Sequence, residues 1–361
     1  MTMDEKIISL FKRGNRLFKE NRCAEARQVF EEALAIDGNN PYVLTGMGDV
    51  LRKMKEFSRA GDYYGRVLKR EPHNLFALRG LGDALREEGQ YAGAIARWKE
   101  YLRIRPNDIF VLTRIADSHK MLSRFREAED YYRQSLGLNP RDRYALMGIA
   151  DLFQKTGQDA LAIEYYEKLV ALGGDFIHIL TIIGNLYRHR GEFHKAGEFY
   201  SRALEQEEDN QYALYGLGEV CRWNLDYAGA IEYWERILET KPGTVKMLSR
   251  LGDLYRKVGD FEACERTYLR ALEREYDKYA LVGLGKLYCL KGKVAAALNC
   301  YGQLLQKEGQ DLKVFSELGE ILVQTGWEDQ AAEFFRGVLA LQNDNPEACR
   351  VIAAMQEKLG A

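Results

Sequence analysis

Two ladders of charge run through this sequence in step. An acid recurs at Asp49, Asp83, Asp117, Asp151, Glu219 and Asp253, and in the slot three residues further on a base recurs at Arg52, Arg86, Lys120, Arg188, Arg222 and Arg256, with Asp151 followed by Gln154 and Arg188 preceded by Asn185. Upstream of them lies a row of aromatics, Tyr42, Phe76, Phe110, Tyr144, Tyr212 and Tyr279. A carboxylate and a cation three residues apart meet on one face of a helix. Satisfied among themselves, such pairs form a structural ladder of about 0.2–0.5 kcal/mol per exposed pair. Turned outward, the arginines fork onto a partner's carboxylates and the aromatics take its apolar side chains.

Other constellations lack a usable spacing. Of His73, His119, His178, His189 and His194, only His189 and His194 are close in sequence, with no Cys or carboxylate at ligand distance, so no metal is expected. Cysteines at 23, 221, 264, 289, 300 and 349 make no C-x-x-C pair, and Cys264 and Cys300 read as inert packing thiols. Ser and Cys have no base at a recognisable motif distance. Gly283-Leu284-Gly285-Lys286 lacks the spacing and the Ser/Thr of a phosphate loop. No catalytic residue and no cofactor is expected, and the chain reads as non-enzymatic.

A chain of 361 residues would ordinarily hold two or three domains. Lys plus Arg is 52 and Asp plus Glu is 54, a balance that argues against a dedicated nucleic-acid binder. Six prolines exclude a Pro-rich linker protein. The N-terminus carries Asp4 and Glu5 where a signal peptide needs positive charge, no apolar run is long enough to span a bilayer, and the cysteines suit a reducing compartment. A cytoplasmic protein without a membrane span is expected.

The elements that must position the charges are set by a repeat. Aromatics recur at Phe30, Tyr64, Trp98, Tyr132, Tyr166, Tyr200, Trp234, Tyr268, Tyr301 and Phe335, a step of 34 with one step of 33. Four residues before each stands Ala26, Ala60, Ala94, Ala128, Ala162, Ala196, Ala230, Cys264, Ala297 or Ala331. Gly14, Gly48, Gly82, Gly184, Gly218, Gly252, Gly285 and Gly319 form a third series, with Ala116 and Ala150 in two of its slots. A fixed period of this size signals a repeat array and overrides the length-based domain count. Each unit reads as two amphipathic helices. In one, Leu44, Met47, Gly48 and Leu51 make one face, and Ala60, Tyr64, Val67 and Leu68 the next. Gly89, Gly157, Gly191, Gly259, Gly292 and Gly326 fill a turn slot between them, and all six prolines fall at unit junctions. The small residues are expected to let the two helix backbones approach, the aromatic filling the gap to the next unit. His119 replaces an apolar packing residue and is expected to be a hydrogen-bonded interior group.

This order, seen in Leu44, Gly48, Phe57, Ala60, Tyr64 and Pro72, resembles the tetratricopeptide repeat family over 339 of 361 residues. The departures are Cys264 for alanine, and Glu208 and Tyr276 for the junction proline. The resemblance implies an all-α fold, an α-solenoid of about ten antiparallel helix pairs in a right-handed superhelix. The units would run 7–40, 41–74, 75–108, 109–142, 143–176, 177–210, 211–244, 245–277, 278–311 and 312–345, with a capping helix over 346–361. First helices would line a concave groove.

On that register, groove-facing positions of the second to eighth units hold 13 bases, Arg79, Arg114 and Arg250 among them, against 7 acids. A concave surface of one sign focuses potential on an opposite charge. The family usually carries an aromatic where these Arg and Lys residues stand. The expected function is a scaffold or adaptor holding an acidic or mixed-charge peptide in its groove. The alternative is a non-protein anionic ligand there, a nucleic acid or an acidic glycan. The Lys/Asn clamp by which some family members hold a chaperone's C-terminal carboxylate is not expected, since Phe11 stands in the lysine slot and Asp49 and Asp83 are negative. Units nine and ten, with Lys286, Cys289 and Val323 in the ladder slots, are expected to offer a second surface for self-association.

This register ranks three substitutions. Trp98→Ala should cost roughly 3–5 kcal/mol through its cavity, Ala94→Leu about 1–3 kcal/mol through overpacking, and Arg86→Glu close to nothing. Thermal melts of the three variants check the order.

Overall fold

A computed structural model describes residues 2–174 and 176–308. Among them every regular element is an α-helix. The chain divides into two compact units, Met1–Gly174 and Asp175–Ala361. The first holds α1 (Met3–Lys19), α2 (Cys23–Ile36), α3 (Pro41–Lys53), α4 (Phe57–Arg70), α5 (Leu75–Glu87), α6 (Tyr91–Ile104), α7 (Ile109–Met121), α8 (Phe125–Leu138), α9 (Arg143–Lys155) and α10 (Asp159–Ala171). The second holds α11 (Ile177–His189), α12 (Phe193–Gln206), α13 (Gln211–Trp223), α14 (Tyr227–Thr240), α15 (Val245–Val258), α16 (Phe261–Leu272), α17 (Lys278–Leu290) and α18 (Val294–Glu308). Residues 312–345 and 346–361, assigned above to a tenth repeat and a cap, lie outside the described residues.

Each odd-numbered helix forms an antiparallel hairpin with the even-numbered helix after it, and within each unit that helix packs on the next hairpin. The ends are specified locally. Asn40, Asn74, Asp108 and Asp142 cap α3, α5, α7 and α9, each side-chain oxygen accepting from the third helical N–H at 2.7–3.2 Å. Asn210, Thr244 and Asp277 do the same for α13, α15 and α17. Such caps hold donors that the helix itself cannot satisfy. Between the helices of a hairpin the chain turns through one left-handed residue. Gly89 takes it at φ +76°, and so do Asn21, Lys55, Ser123 and Leu225, at φ between +57° and +66°. The slot therefore demands a conformation in every hairpin, whether or not glycine fills it.

The aromatic series is the core. Phe30, Tyr64, Trp98, Tyr132, Tyr166, Tyr200, Trp234, Tyr268 and Tyr301 are all fully buried, and the alanines before them and Cys264 are at zero exposure. The glycines serve the rings more than the helix backbones, which corrects the expectation above. A Cβ on Gly48 would lie 2.6 Å from the ring of Tyr64, and one on Gly80, in the next hairpin, 2.5 Å from the same ring. Gly184 and Gly216 bracket Tyr200 in the same way, one from each hairpin. Tyr64 and Tyr200 thus each sit in a socket made by two first helices, and a methyl group on either glycine would displace the ring.

Buried thiols and one buried imidazole complete the interior. Burial pushes the Cys264 thiol up to about 12 and the Cys300 thiol up to about 11, so neither is a thiolate at neutral pH. His119 is 4% exposed and stacks on Tyr131 with centroids 5.6 Å apart. Neither ring nitrogen has a hydrogen-bond partner, contrary to the expectation of a satisfied group. The stack explains its presence, because Phe153 on Tyr165 and Tyr187 on Phe199 pair at the same register.

Burial first, then Lys99 of α6 and Arg124 of the turn, lower the His119 pKa, with Glu127 of α8 opposing. A histidine held neutral in the fold binds its proton more readily when unfolded. Its stability contribution is therefore lost as pH falls below its ordinary value of 6.5. His119→Phe should raise stability by about 1–3 kcal/mol at mildly acidic pH, the scale of an unsatisfied buried polar group. Urea denaturation against pH should show a flatter curve for the variant between neutrality and pH ~5.

Candidate functional site

The first helices place the predicted row where expected. Tyr42, Phe76, Phe110 and Tyr144 are the second residues of α3, α5, α7 and α9, and each is 67–73% exposed. In the second unit Tyr212 and Tyr279 are equally open, on α13 and α17. Seven residues on, two helical turns later on the same face, comes the acid slot.

The acids turn inward. The Tyr64 hydroxyl donates to Asp49 at 2.7 Å, Tyr166 to Asp151 at 2.6 Å and Tyr268 to Asp253 at 2.7 Å. Tyr132 donates to Asp117 in the same manner. Each bond ties the first helix of a hairpin to the ring in its socket. Burial raises the Asp49 pKa, with the Tyr64 hydrogen bond and Arg52 opposing it. Burial also raises the pKa of all four tyrosines, with the carboxylate adding to it, so the hydroxyls remain donors.

Two hairpins that carry an acid cannot use this tie, because Trp98 and Trp234 have no hydroxyl. Their acids, Asp83 and Glu219, are the most buried of the series, each 6% exposed. An arginine of the following first helix replaces the hydroxyl. Arg114 of α7 lies 2.6 Å from Asp83, and Arg250 of α15 pairs with Glu219. These arginines stand where Gly46, Gly80, Gly148, Gly216 and Gly283 elsewhere abut a Phe or Tyr ring. Accordingly α5 and α7 approach less closely than α3 and α5, and α13 and α15 less closely than α11 and α13. Arg114 and Arg250, counted above among the free cations, belong to the scaffold.

The basic ladder is mixed. Arg52 lies 3.8 Å from both Asp49 and Asp83, and Lys120 3.9 Å from Asp117 and 3.8 Å from Asp151. Arg222 meets Glu219 at 2.8 Å and Arg256 meets Asp253 at 3.1 Å. Arg86 departs from the expected pairing with Asp83: that carboxylate is taken by Arg114, and Arg86 turns to Glu87 at 2.5 Å. Arg79 is exposed and Arg188 half-buried. The half-exposed pairs contribute little to stability, so the guanidiniums can be redirected to an incoming carboxylate at small cost. Among the described residues no three His, Cys, Asp or Glu side chains converge as metal ligands would, and no helix is long and apolar enough to cross a membrane.

The hydroxyl ties and the tryptophan–arginine exchange escaped the sequence reading. A signal was present: arginine enters the glycine slot only sixteen residues after a tryptophan, at 114 after 98 and at 250 after 234.

A family model described as tetratricopeptide repeat matches residues 45–109, 113–175, 183–244 and 249–299. Among solved structures the chain is similar to the C-terminal part of a repeat-containing protein of Cytophaga hutchinsonii. The identity is 17% over 66% of this chain and 98% of that one, with a TM-score of 0.60. It is similar to PilF of Pseudomonas aeruginosa at 20% identity over 59% of this chain and 97% of that one, TM-score 0.49. It is similar to the MamA protein at 26% identity over 47% and 93%, TM-score 0.45. No curated protein matches the chain.

Arg114→Met should leave Asp83 buried without its near cation. With Arg52 still in range, the cost should be about 3 kcal/mol, the low end for one partner of a buried pair. Adding Asp83→Asn should recover most of that loss, whereas Arg52→Met alone should cost less than about 1 kcal/mol. Urea midpoints of the three variants measure these differences.

Proposed function

The chain belongs to the tetratricopeptide repeat family, whose fold is that of a protein–protein interaction scaffold, and we propose that its first-helix faces hold a partner segment carrying both apolar and acidic side chains. The observation that carries this reading is the row Tyr42, Phe76, Phe110 and Tyr144, four large rings left open on successive first helices of one unit. The core does not need them, since the sockets are filled by other rings. Contiguous exposed aromatics mark an interaction surface rather than ordinary surface scatter.

The charges beside the row set the partner's character. Arg52, Arg79, Arg86 and Lys120 are exposed or half-buried, and every acid on the same helices but Glu87 is tied to a tyrosine or to Arg114. The face therefore presents rings and cations to a ligand. An extended or helical segment with alternating apolar and acidic residues satisfies both. In the second unit Tyr212 and Tyr279 with Arg188, Arg222 and Arg256 repeat the arrangement.

The test is affinity capture with the full chain and with a Tyr42→Ser/Phe76→Ser/Phe110→Ser variant, which should melt as the wild type does because the three rings are exposed. A protein retained by the wild type should bind the variant at least roughly tenfold more weakly, given typical anchor-residue energies. Equal capture by both overturns the reading. Retention of a ligand whose affinity falls log-linearly and steeply with salt would replace it by the anionic-ligand alternative.

A further inference from the structure

The ladder of the second unit is broken in α11. There the acid slot holds Asn185, where α3, α5, α7, α9, α13 and α15 hold a carboxylate. The structural tie survives the change, since Tyr200 donates to Asn185 Oδ1 at 2.9 Å. What is lost is the charge. Arg188, one turn further on, finds an amide, an imidazole and the Tyr200 hydroxyl but no carboxylate: its Nη2 lies 3.4 Å from Asn185 Oδ1 and 3.4 Å from His189 Nε2. Among the described residues no carboxylate comes within 4.0 Å of it, whereas Arg52, Arg86, Lys120, Arg222 and Arg256 each have one.

The neighbouring acid cannot serve. Glu219, on the next first helix, is already met by Arg222 at 2.8 Å and by Arg250. Arg250 also donates to the Tyr215 hydroxyl at 2.8 Å. Both Arg188 and Arg250 act electrostatically on that hydroxyl, in opposition to its burial and to Glu219. Two guanidiniums thus share one carboxylate, and neither leaves it to Arg188. The Nε of Arg188 is buried without an acceptor. The same holds for Arg52, Arg222 and Arg256, but their Nη atoms have a carboxylate and those of Arg188 have none. A half-buried cation without a counter-ion attracts an oxyanion more strongly than an exposed one, and a guanidinium matches two oxyanion acceptors at once.

We propose that Arg188 is an oxyanion anchor for the bound segment, taking one side-chain carboxylate or phosphate. The inference rests on the reading that the first-helix face holds a peptide, and it specifies where the segment's charge is seated. Asn185 is the residue that keeps the anchor open: it maintains the tyrosine tie and leaves the arginine unneutralised.

The substitution Asn185→Asp tests this, since it installs the residue that the register carries elsewhere and should melt no lower than the wild type. The full chain, labelled with nitrogen-15, is titrated separately with inorganic phosphate and with N-acetylaspartate while the arginine Nε–H resonances are followed. That of Arg188 is assigned by its loss in Arg188→Lys. In the wild type this resonance should shift saturably, and Asn185→Asp should weaken the response roughly tenfold or more, the loss of one charge-assisted contact. A response to phosphate alone assigns the anchor to a phosphorylated side chain, and a response to both admits an aspartate or glutamate. A shift no larger than those of Arg52 and Arg256, or one unchanged in Asn185→Asp, overturns the proposal. Because these probes are small ions, that failure is separable from failure of the peptide reading, which the aromatic variant tests.

Discussion

At Phe30, Tyr64, Tyr200 and Tyr268 a buried ring touches two first helices at once, its own and that of the next hairpin, through glycines that have no room for a Cβ. Hairpin joins hairpin through that contact, and the rest of the architecture follows from it. The alanine four residues earlier keeps the ring's own helix close. The left-handed turn residue sets the hairpin so that the ring meets the socket. The asparagine, aspartate and threonine caps start α3, α5, α7, α9, α13, α15 and α17 in register with the ring before each. None of these devices would be worth much alone, since an isolated pair of short helices is marginal in water. The stack becomes stable because each ring is shared.

A tyrosine brings a hydroxyl into that socket, and the hydroxyl must be satisfied. Asp49, Asp117, Asp151 and Asp253 do this, which removes them from the inventory of residues offered to a ligand. A tryptophan brings no hydroxyl, and the acid beside it would be left to Arg52 or Arg222 alone without Arg114 or Arg250. The arginine needs space that a glycine leaves, so it displaces the close approach of two first helices. One aromatic choice therefore decides the partner of the acid, the identity of the glycine slot and the spacing of neighbouring helices together. The charges that read as a binding surface are in large part the electrostatic lining of the core. The surface itself is carried by the residues that the scaffold does not use: the open aromatics and the outward-turned cations.

The helices, the turn slot, the core rings and the exposed aromatic row were all legible in the sequence, because each follows from periodicity within one helix or from a residue type at a fixed register. The pairing of charges was not. A carboxylate three residues before an arginine invites a local pair, yet Asp83 is met by an arginine 31 residues away and Arg86 turns to Glu87. The tyrosine ties span 15 residues and pass between helices. Helical periodicity is blind to such contacts, since it describes one helix at a time. His119 was misjudged for a related reason: stacking on Tyr131 holds the ring in place, and that partner lies across the hairpin.

A repeat in which every charge found its internal partner would be a good scaffold and a poor receptor. Binding energy comes from groups left incompletely satisfied by the fold, and each such group lowers the stability of the free protein. Repetition makes the exceptions visible. A side chain that departs from its register in one hairpin, while keeping the contact on which the fold depends, has given up only what was not structural. Asn185 does this: the amide oxygen still receives Tyr200, and the missing charge is all that separates it from the aspartates at the same slot. The face differs in electrostatics there while the stack stays the same, and a solenoid can in this way vary what it binds without altering how it folds.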